Sequence, residues 1–242
     1  MKFILDVHCH TINSGHAYST ISENAAFAAS IGLTHIGIAD HGPGMPGGAH
    51  RYHFFNLGAL PDTLHGVRIL KGIEANILTS EGELDFPNQY LAMMDFVIAS
   101  MHREVILPSG CTANTAALVN TMENPNVHII GHPTSSVYDI DIEAVVKAAA
   151  KTRTIIEVNN HSLIPGSFRY KGEEPFVEML ALCKEYGVSI LASSDAHFYE
   201  SVGNFDRAKP LIEASGIGEE FIVNTCAERF FTAIKTKKEW ML

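Results

Sequence analysis

Apolar and polar positions along this chain fall into blocks of two kinds. Short apolar runs bounded by turn formers alternate with segments whose apolar positions recur at helical spacing. The strand-like runs are FILDVH (3–8), THIGIADH (34–41), VRILKGIEA (67–75), DFVIASMH (95–102), VHIIGH (127–132), TIIEVNN (154–160) and VSILASSDAH (188–197). Helix-like segments are SENAAFAASIG (22–32), a stretch near 112–123, DIEAVVKAAAK (141–151) and EPFVEMLALCKEYG (174–187). Two more helices are predicted near 204–215 and 225–238, with EFIV (220–223) as a weak strand between them. Thr20 and Glu23 are spaced for a capping box, and Asp141 fits an N-cap. Pro175 suits a first turn, and Gly187 suits a helix stop. This alternation predicts an α/β fold on a parallel sheet. No linker or composition break divides it, so residues 1–242 read as one domain.

Composition narrows the picture. The chain has 242 residues, 46% hydrophobic and 18% charged, which is ordinary for a globular protein able to bury a sizeable core. A net charge of −10 disfavours a nucleic-acid partner, which calls for a basic patch. The one basic cluster, KTKKEW (235–240), reads as a solvated helix end. No apolar run reaches membrane-span length, and the start lacks a signal-peptide pattern. Cys9, Cys111, Cys183 and Cys226 lie far apart without a CxxC pair, which points to a reducing cytoplasm. No GxGxxG or Walker loop follows any strand, and GPGMPGG (42–48) reads as a flexible loop over a site. A homo-oligomer is left open.

Thirteen histidines are the anomaly, and their placement matters more than their number. His8 and His10 end the first strand, with His16 just beyond. His41 ends the second, Glu74 sits on the third, His102 ends the fourth, His132 the fifth, and Asp195 and His197 the seventh. All lie at or after C-terminal strand ends, where barrels of parallel strands assemble their sites. Side chains two apart on a strand share a face, so His8 pairs with His10, and Asp195 with His197. If the sheet closes, these two pairs meet. Cys9, between the first pair, turns to the opposite face and is expected to pack as a small hydrophobe.

Imidazoles with few carboxylates suit zinc first, with manganese or iron as alternatives, over magnesium or calcium. Nine candidate ligands exceed the needs of one four-coordinate ion, and three divalent ions fit better, with Glu74 placed to bridge. Such a site stays strongly cationic and complements a dianionic phosphate monoester.

These residues resemble the PHP (polymerase and histidinol phosphatase) superfamily. The likeness rests on HCH with His16, then ADH, Glu74, MH, GHP and SDAH, in order from residue 6 to 197. EVNN (157–160) and NVHIIGHP (126–133) look most like its YcdX-type phosphatase branch. The resemblance implies a distorted TIM-like (β/α)7 barrel, three metals and phosphoesterase activity. It implies one ion on His8, His10, Glu74 and Asp195, a second on Glu74, His102 and His132, and a third on His16, His41 and His197. A hydroxide bridging two ions would then attack phosphorus in line. Asp6 and Asp40 are expected to orient ligands from behind, or to cap strand-end backbone.

Arg51, Arg103 and His161 follow the rim as candidate contacts for a small phosphorylated substrate. His50 and His53 read as lining the mouth, with packing the preferred role for the aromatics beside them. His35, His65 and His128 lie at the wrong end. Three other readings stay open: a phosphodiesterase or nuclease on short oligonucleotides, an amidohydrolase-type C–N hydrolase, and a non-catalytic metal-binding module. The second normally uses a strand-four lysine, which DFVIASMH lacks.

Overall fold

In the computed structural model, which describes residues 1–241 with side chains through Lys235 and that of Lys237, the strand–helix alternation closes into a barrel. The strands are β1 (Leu5–Cys9), β2 (His35–Ile38), β3 (Thr63–Leu64), β4 (Val67–Asn76), β5 (Phe96–Ser100), β6 (Ile129–Ile130), β7 (Ile155–Asn159) and β8 (Ile190–Ser193). Seven run parallel in the order β1-β2-β4-β5-β6-β7-β8, and the short β3 pairs antiparallel with β4. The helices are α1 (Ile21–Ser30), α2 (Arg51–Phe55), α3 (Asn88–Leu91), α4 (Cys111–Met122), α5 (Ile142–Thr152), α6 (Glu174–Tyr186), α7 (Ala208–Ser215) and α8 (Ala227–Met241). This is a distorted TIM-like barrel, as expected. Among the described residues, no helix is long and apolar enough to cross a membrane.

Local chemistry sets the helix ends where the sequence placed them. The Thr20 N–H donates to Glu23 Oε2 at 2.7 Å, and Glu23 N–H returns to Thr20 Oγ1 at 3.3 Å, completing the capping box. Asp141 accepts from Ala144 N–H at 2.9 Å. Gly187 ends α6 at φ 66°, a left-handed conformation that glycine adopts without a Cβ penalty.

The seam between first and last strands closes in two ways. Near the rim, His10 N–H donates to Ala196 O at 2.8 Å and Ala196 N–H to His8 O at 3.3 Å. Below that, a side chain replaces the missing ladder. Asn224 accepts from Ala192 N–H at 2.7 Å and donates to Ala192 O at 2.8 Å and Leu5 O at 3.1 Å. Its own carbonyl accepts from Ile4 N–H at 2.9 Å. The expected weak strand at 220–223 is therefore corrected. Residues 219–221 and 223–225 form single 3₁₀ turns, and one bridge joins Ile190 to Ile222. The tight turns present Asn224 to both strands, which an extended run would not do.

The core has two parts. Inside the barrel, Leu5, Val7, Leu70, Phe96, Ile98, Ile129, Ile155 and Leu191 pack together, capped from below by Phe230 and Ile234 of α8. Phe96 fills the lumen so fully that a Cβ at Gly72 would approach its ring within 2.3 Å, and one at Gly37 within 2.6 Å. Between strands and outer helices lies the larger cluster, which includes Cys9 with Ala25 and Ala28. The solvated-helix reading of the basic tail is corrected at Lys237. Its ammonium is buried and donates to Met122 O at 2.8 Å and Thr154 Oγ1 at 2.5 Å, tying α8 beneath the barrel. The side chains of 238–240 in that cluster lie outside the described residues.

Candidate metal centre

β1 delivers His8 and His10 to the rim, both fully buried, as period two requires. Glu74 rises from β4 between them and the later strands. Its Oε1 lies 3.0 Å from His132 Nε2, 3.3 Å from His102 Nε2 and 3.3 Å from His8 Nε2. Its Oε2 lies 2.6 Å from His41 Nδ1 and 3.6 Å from His10 Nε2. Asp195 Oδ1 lies 3.1 Å from His10 Nε2 and 3.6 Å from His8 Nε2. Nearer the mouth, His16 Nε2 faces His41 Nε2 at 3.3 Å, and the His16 and His197 rings stack 4.8 Å apart. The structure thus brings all nine sequence-selected residues to one place.

Several facing atoms lack hydrogen bonds. His8 Nε2, His41 Nδ1, Glu74 Oε2 and His102 Nε2 are buried without one, although their neighbours are close. Buried polar atoms are nearly always satisfied, so a cluster of exceptions points to another partner. Three sets of donor atoms lie within 4.8 Å of one another: His8, His10 and Glu74; His41, Glu74 and His102; and His10, His41 and His197. Imidazole nitrogens and shared carboxylate oxygens at such spacing fit divalent cations. The backbone here is unusual too. His132 (φ 29°) and Asp195 (φ 55°) hold left-handed conformations that side chains with a Cβ rarely adopt.

Electrostatics agree with that fit. Burial, then the nearby His197 and His41, push His10 well below the ordinary imidazole range, leaving it neutral. Burial and Arg169 lower His132 to about 4. For His8, burial opposes the proton, but Glu157, Glu74 and Asp195 outweigh it and raise the pKa well above its usual value. Several carboxylates around one imidazole mark a place where positive charge belongs. Burial would raise Asp195, yet Arg169 and His8 hold it well below the usual carboxylate range.

Residues behind the cluster aim its rings. His8 Nδ1 meets Glu157 Oε1 at 2.6 Å, and Glu157 also accepts from Ser193 Oγ and His132 N–H, both at 2.5 Å. His10 Nδ1 meets Ser14 Oγ at 3.1 Å, and Ser14 donates to Asp40 Oδ1 at 2.6 Å. Asp40 therefore supports His10 through Ser14, and it meets His53 Nε2 at 3.1 Å. His102 Nδ1 meets Asn76 Oδ1 at 2.7 Å. Asn76 in turn donates to Asp85 Oδ2 at 2.5 Å, and Asp85 accepts from Gly44 N–H at 2.7 Å. That chain pins the glycine-rich loop to His102.

Asp6 takes the second of its two expected roles, capping backbone. It accepts from Ser194 Oγ at 2.5 Å, Gly203 N–H at 2.8 Å, Ser194 N–H at 3.3 Å and His8 N–H at 3.4 Å, and touches no imidazole. The β1–β2 register slips between Asp6 and Cys9, so the period-two argument fails across that bulge. Asp6 anchors the loop after β8 instead.

A cavity of about 650 Å³ opens above the cluster. His161 lines it, with a buried, unpartnered Nδ1. Arg51 and Arg103 are exposed and do not line it. The arginine that does is Arg169, buried and donating from Nη2 to Asp195 Oδ2, with its Nε unpartnered. It comes from an irregular loop after β7, where no periodicity signals facing. His50 caps α2 by accepting from Tyr52 N–H at 3.3 Å, and His53 turns inward to Asp40, so neither lines the cavity. The aromatics beside them pack: Phe54 meets Phe86 at 5.1 Å and Phe55 meets Tyr90 at 4.5 Å.

Comparison with known proteins agrees with this geometry. A probable phosphatase of Acetivibrio thermocellus is 46% identical over 99% of this chain and 98% of its own length. One from Thermoanaerobacter sp. is 46% identical over 98% of this chain and 97% of its own. The crystal structure of histidinol phosphate phosphatase from Lactococcus lactis, complexed with zinc, L-histidinol and phosphate, superposes with TM-score 0.61. It is 19% identical and covers 88% of this chain and 94% of its own, a likeness of fold. The PHP domain model matches residues 6–238, and with barrel, rim and relatives in accord the chain belongs to the PHP domain family.

Proposed function

We propose that this protein is a metal-dependent phosphatase that hydrolyses a phosphate monoester at a three-ion site on the barrel rim. The observation that carries the reading is the set of buried, hydrogen-bond-deficient atoms on His8, His41, Glu74 and His102, facing one another beneath an open cavity. Relatives covered almost end to end are named probable phosphatases, which supports it. Zinc is the first candidate; manganese and iron suit the same donors. His8, His10, Glu74 and Asp195 would hold one ion, Glu74, His102 and His132 a second, and His16, His41 and His197 a third. Bound ions supply positive charge for the phosphoryl oxygens and acidify the attacking water.

The chain's own groups do the rest. Glu157 and the Ser14–Asp40 pair fix the His8 and His10 rings, so the donors are aimed before substrate arrives. Arg169 keeps Asp195 ionised and stands at the cavity wall, where its guanidinium can grip a phosphate oxygen. His161 also lines that wall, which supports a role for it toward the leaving oxygen. The test is metal content of protein purified without added metal, together with turnover of 4-nitrophenyl phosphate and bis(4-nitrophenyl) phosphate. About three ions per chain and clear preference for the monoester are expected. Faster diester turnover would move the protein to the nuclease reading, and amide hydrolysis without either would overturn the phosphatase claim.

A further inference from the structure

The cavity has a floor of ligands and a mouth of aromatic rings. Four aromatic side chains are exposed among the described residues, Tyr18, Tyr52, Phe168 and Phe198, and three of them rim this opening. Tyr18 is 74% exposed, Phe168 66% and Phe198 41%. Exposed apolar area is costly unless something covers it, so rings gathered around one opening mark a contact surface. Tyr18 and Phe198 belong to loops joined by the bond from Tyr18 N–H to His197 O, 2.8 Å long. Phe168 stands on the loop after β7. That loop is tied down by Ser136, which donates from Oγ to Phe168 O at 2.7 Å and from N–H to Arg169 O at 2.9 Å.

Some polar groups on the same walls are committed, while Glu104 is exposed there and His161 Nδ1 and Arg169 Nε are unpartnered. Asn160 accepts from Arg207 and Ala208 N–H at 3.0 and 2.9 Å and donates to Asp206 at 3.0 Å. Ser194 Oγ donates to Asp6. Asn204 accepts from Asp206 N–H at 3.1 Å. Among the described residues no lysine lines the cavity, and Arg169 turns inward to Asp195. A flat apolar leaving group would find three rings to lie against.

We infer that the preferred substrates are phosphate monoesters of apolar, ring-bearing alcohols, with the ring held among Tyr18, Phe168 and Phe198 while the phosphate sits on the cluster below. The inference rests on the phosphatase reading and specifies its leaving group. A neutral ring explains the exposed aromatics; a sugar or a polyol does not.

The test uses three monoesters of alkyl alcohols, so that leaving-group reactivity is similar: 2-phenylethyl phosphate, glycerol 1-phosphate and 2-aminoethyl phosphate. With zinc- or manganese-loaded full-length protein, kcat/KM for 2-phenylethyl phosphate is expected to exceed the other two by about tenfold or more. Phe168→Ser and Tyr18→Ser should each shrink that preference about three- to tenfold, the scale of one aromatic contact. Loss of a merely structural contact would lower all three substrates together and leave the ratio intact. A second readout needs no turnover: 2-phenylethylphosphonate binding by calorimetry should weaken by a similar factor in Phe168→Ser. Hydrolysis of all three esters without preference, or a preference for the polyol or amine, overturns the inference and leaves the phosphatase reading standing. No hydrolysis of any monoester overturns both.

Discussion

The two ends of the barrel are built from opposite materials. At the rim, His8, His10, Glu74 and Asp195 are buried, charged or polar, and close together without full hydrogen bonding. At the floor, Phe96, Ile98, Leu5 and Val7 pack against Phe230 and Ile234, and even the polar Lys237 finds two acceptors. Two rim residues, His132 and Asp195, hold left-handed backbone, a conformation that persists only where surrounding packing enforces it. The difference teaches a division of labour: the floor supplies cohesion, and the rim uses it to keep a repulsive, strained cluster in place.

The comparison can be broken most severely at its centre. Glu74→Gln is expected to lower kcat/KM by more than about 100-fold and to reduce bound metal, because this carboxylate faces five histidines and a retained fold cannot replace it. Metal analysis beside kinetics checks this, and full occupancy with full activity would refute the bridging role. Glu157→Gln acts one step back. It keeps the size but loses the charge facing His8 Nδ1, and should cost about 10–100-fold in activity or metal affinity. Phe230→Ala does the reverse. It should destabilise by about 3–5 kcal/mol in urea titration while the folded fraction keeps its kcat.

Lys237 sharpens the contrast through pH. Burial lowers its pKa from 10.5 to about 7. Between these values the unfolded chain holds a proton that the folded chain has released, so stability rises with pH across that window. Below about pH 7 both states are protonated, and the dependence fades. The wild type should therefore gain on the order of 2 kcal/mol over Lys237→Met between pH 7 and 9, read from denaturant midpoints. An equal pH response in both would show that the amine is solvated. The smallest effect is expected at Cys9→Ala, where metal content stays unchanged because the thiol belongs to the cluster between strands and outer helices, on the face opposite His8 and His10.

Legibility followed regularity. His8 with His10 and Asp195 with His197 could be read from strand periodicity, and the capping residues from local hydrogen bonding. Asp6 was expected on the face of His8, but a bulge shifts the register within its own strand, and of its two expected roles it takes the backbone cap. Arg169 gave no signal, since its loop has no period, whereas Arg51 and Arg103 were selected because they follow the rim residues along the chain. The run at 220–223 looked extended because its residues are apolar, yet they serve to set Asn224 into the seam.

What the sequence determined by itself was the alternation of strands and helices, their capped ends, and the identity of nine side chains bound for one rim. Those follow from short-range physics: periodicity, caps and the preferences of imidazole and carboxylate. Tertiary structure decided how the seam closes, which carboxylates stand behind which histidines, which arginine reaches the cavity, and why one lysine is dry. Each of these depends on groups far apart in the chain, as with His8 and Glu157, separated by 149 positions and 2.6 Å apart. Only the closed barrel makes them neighbours.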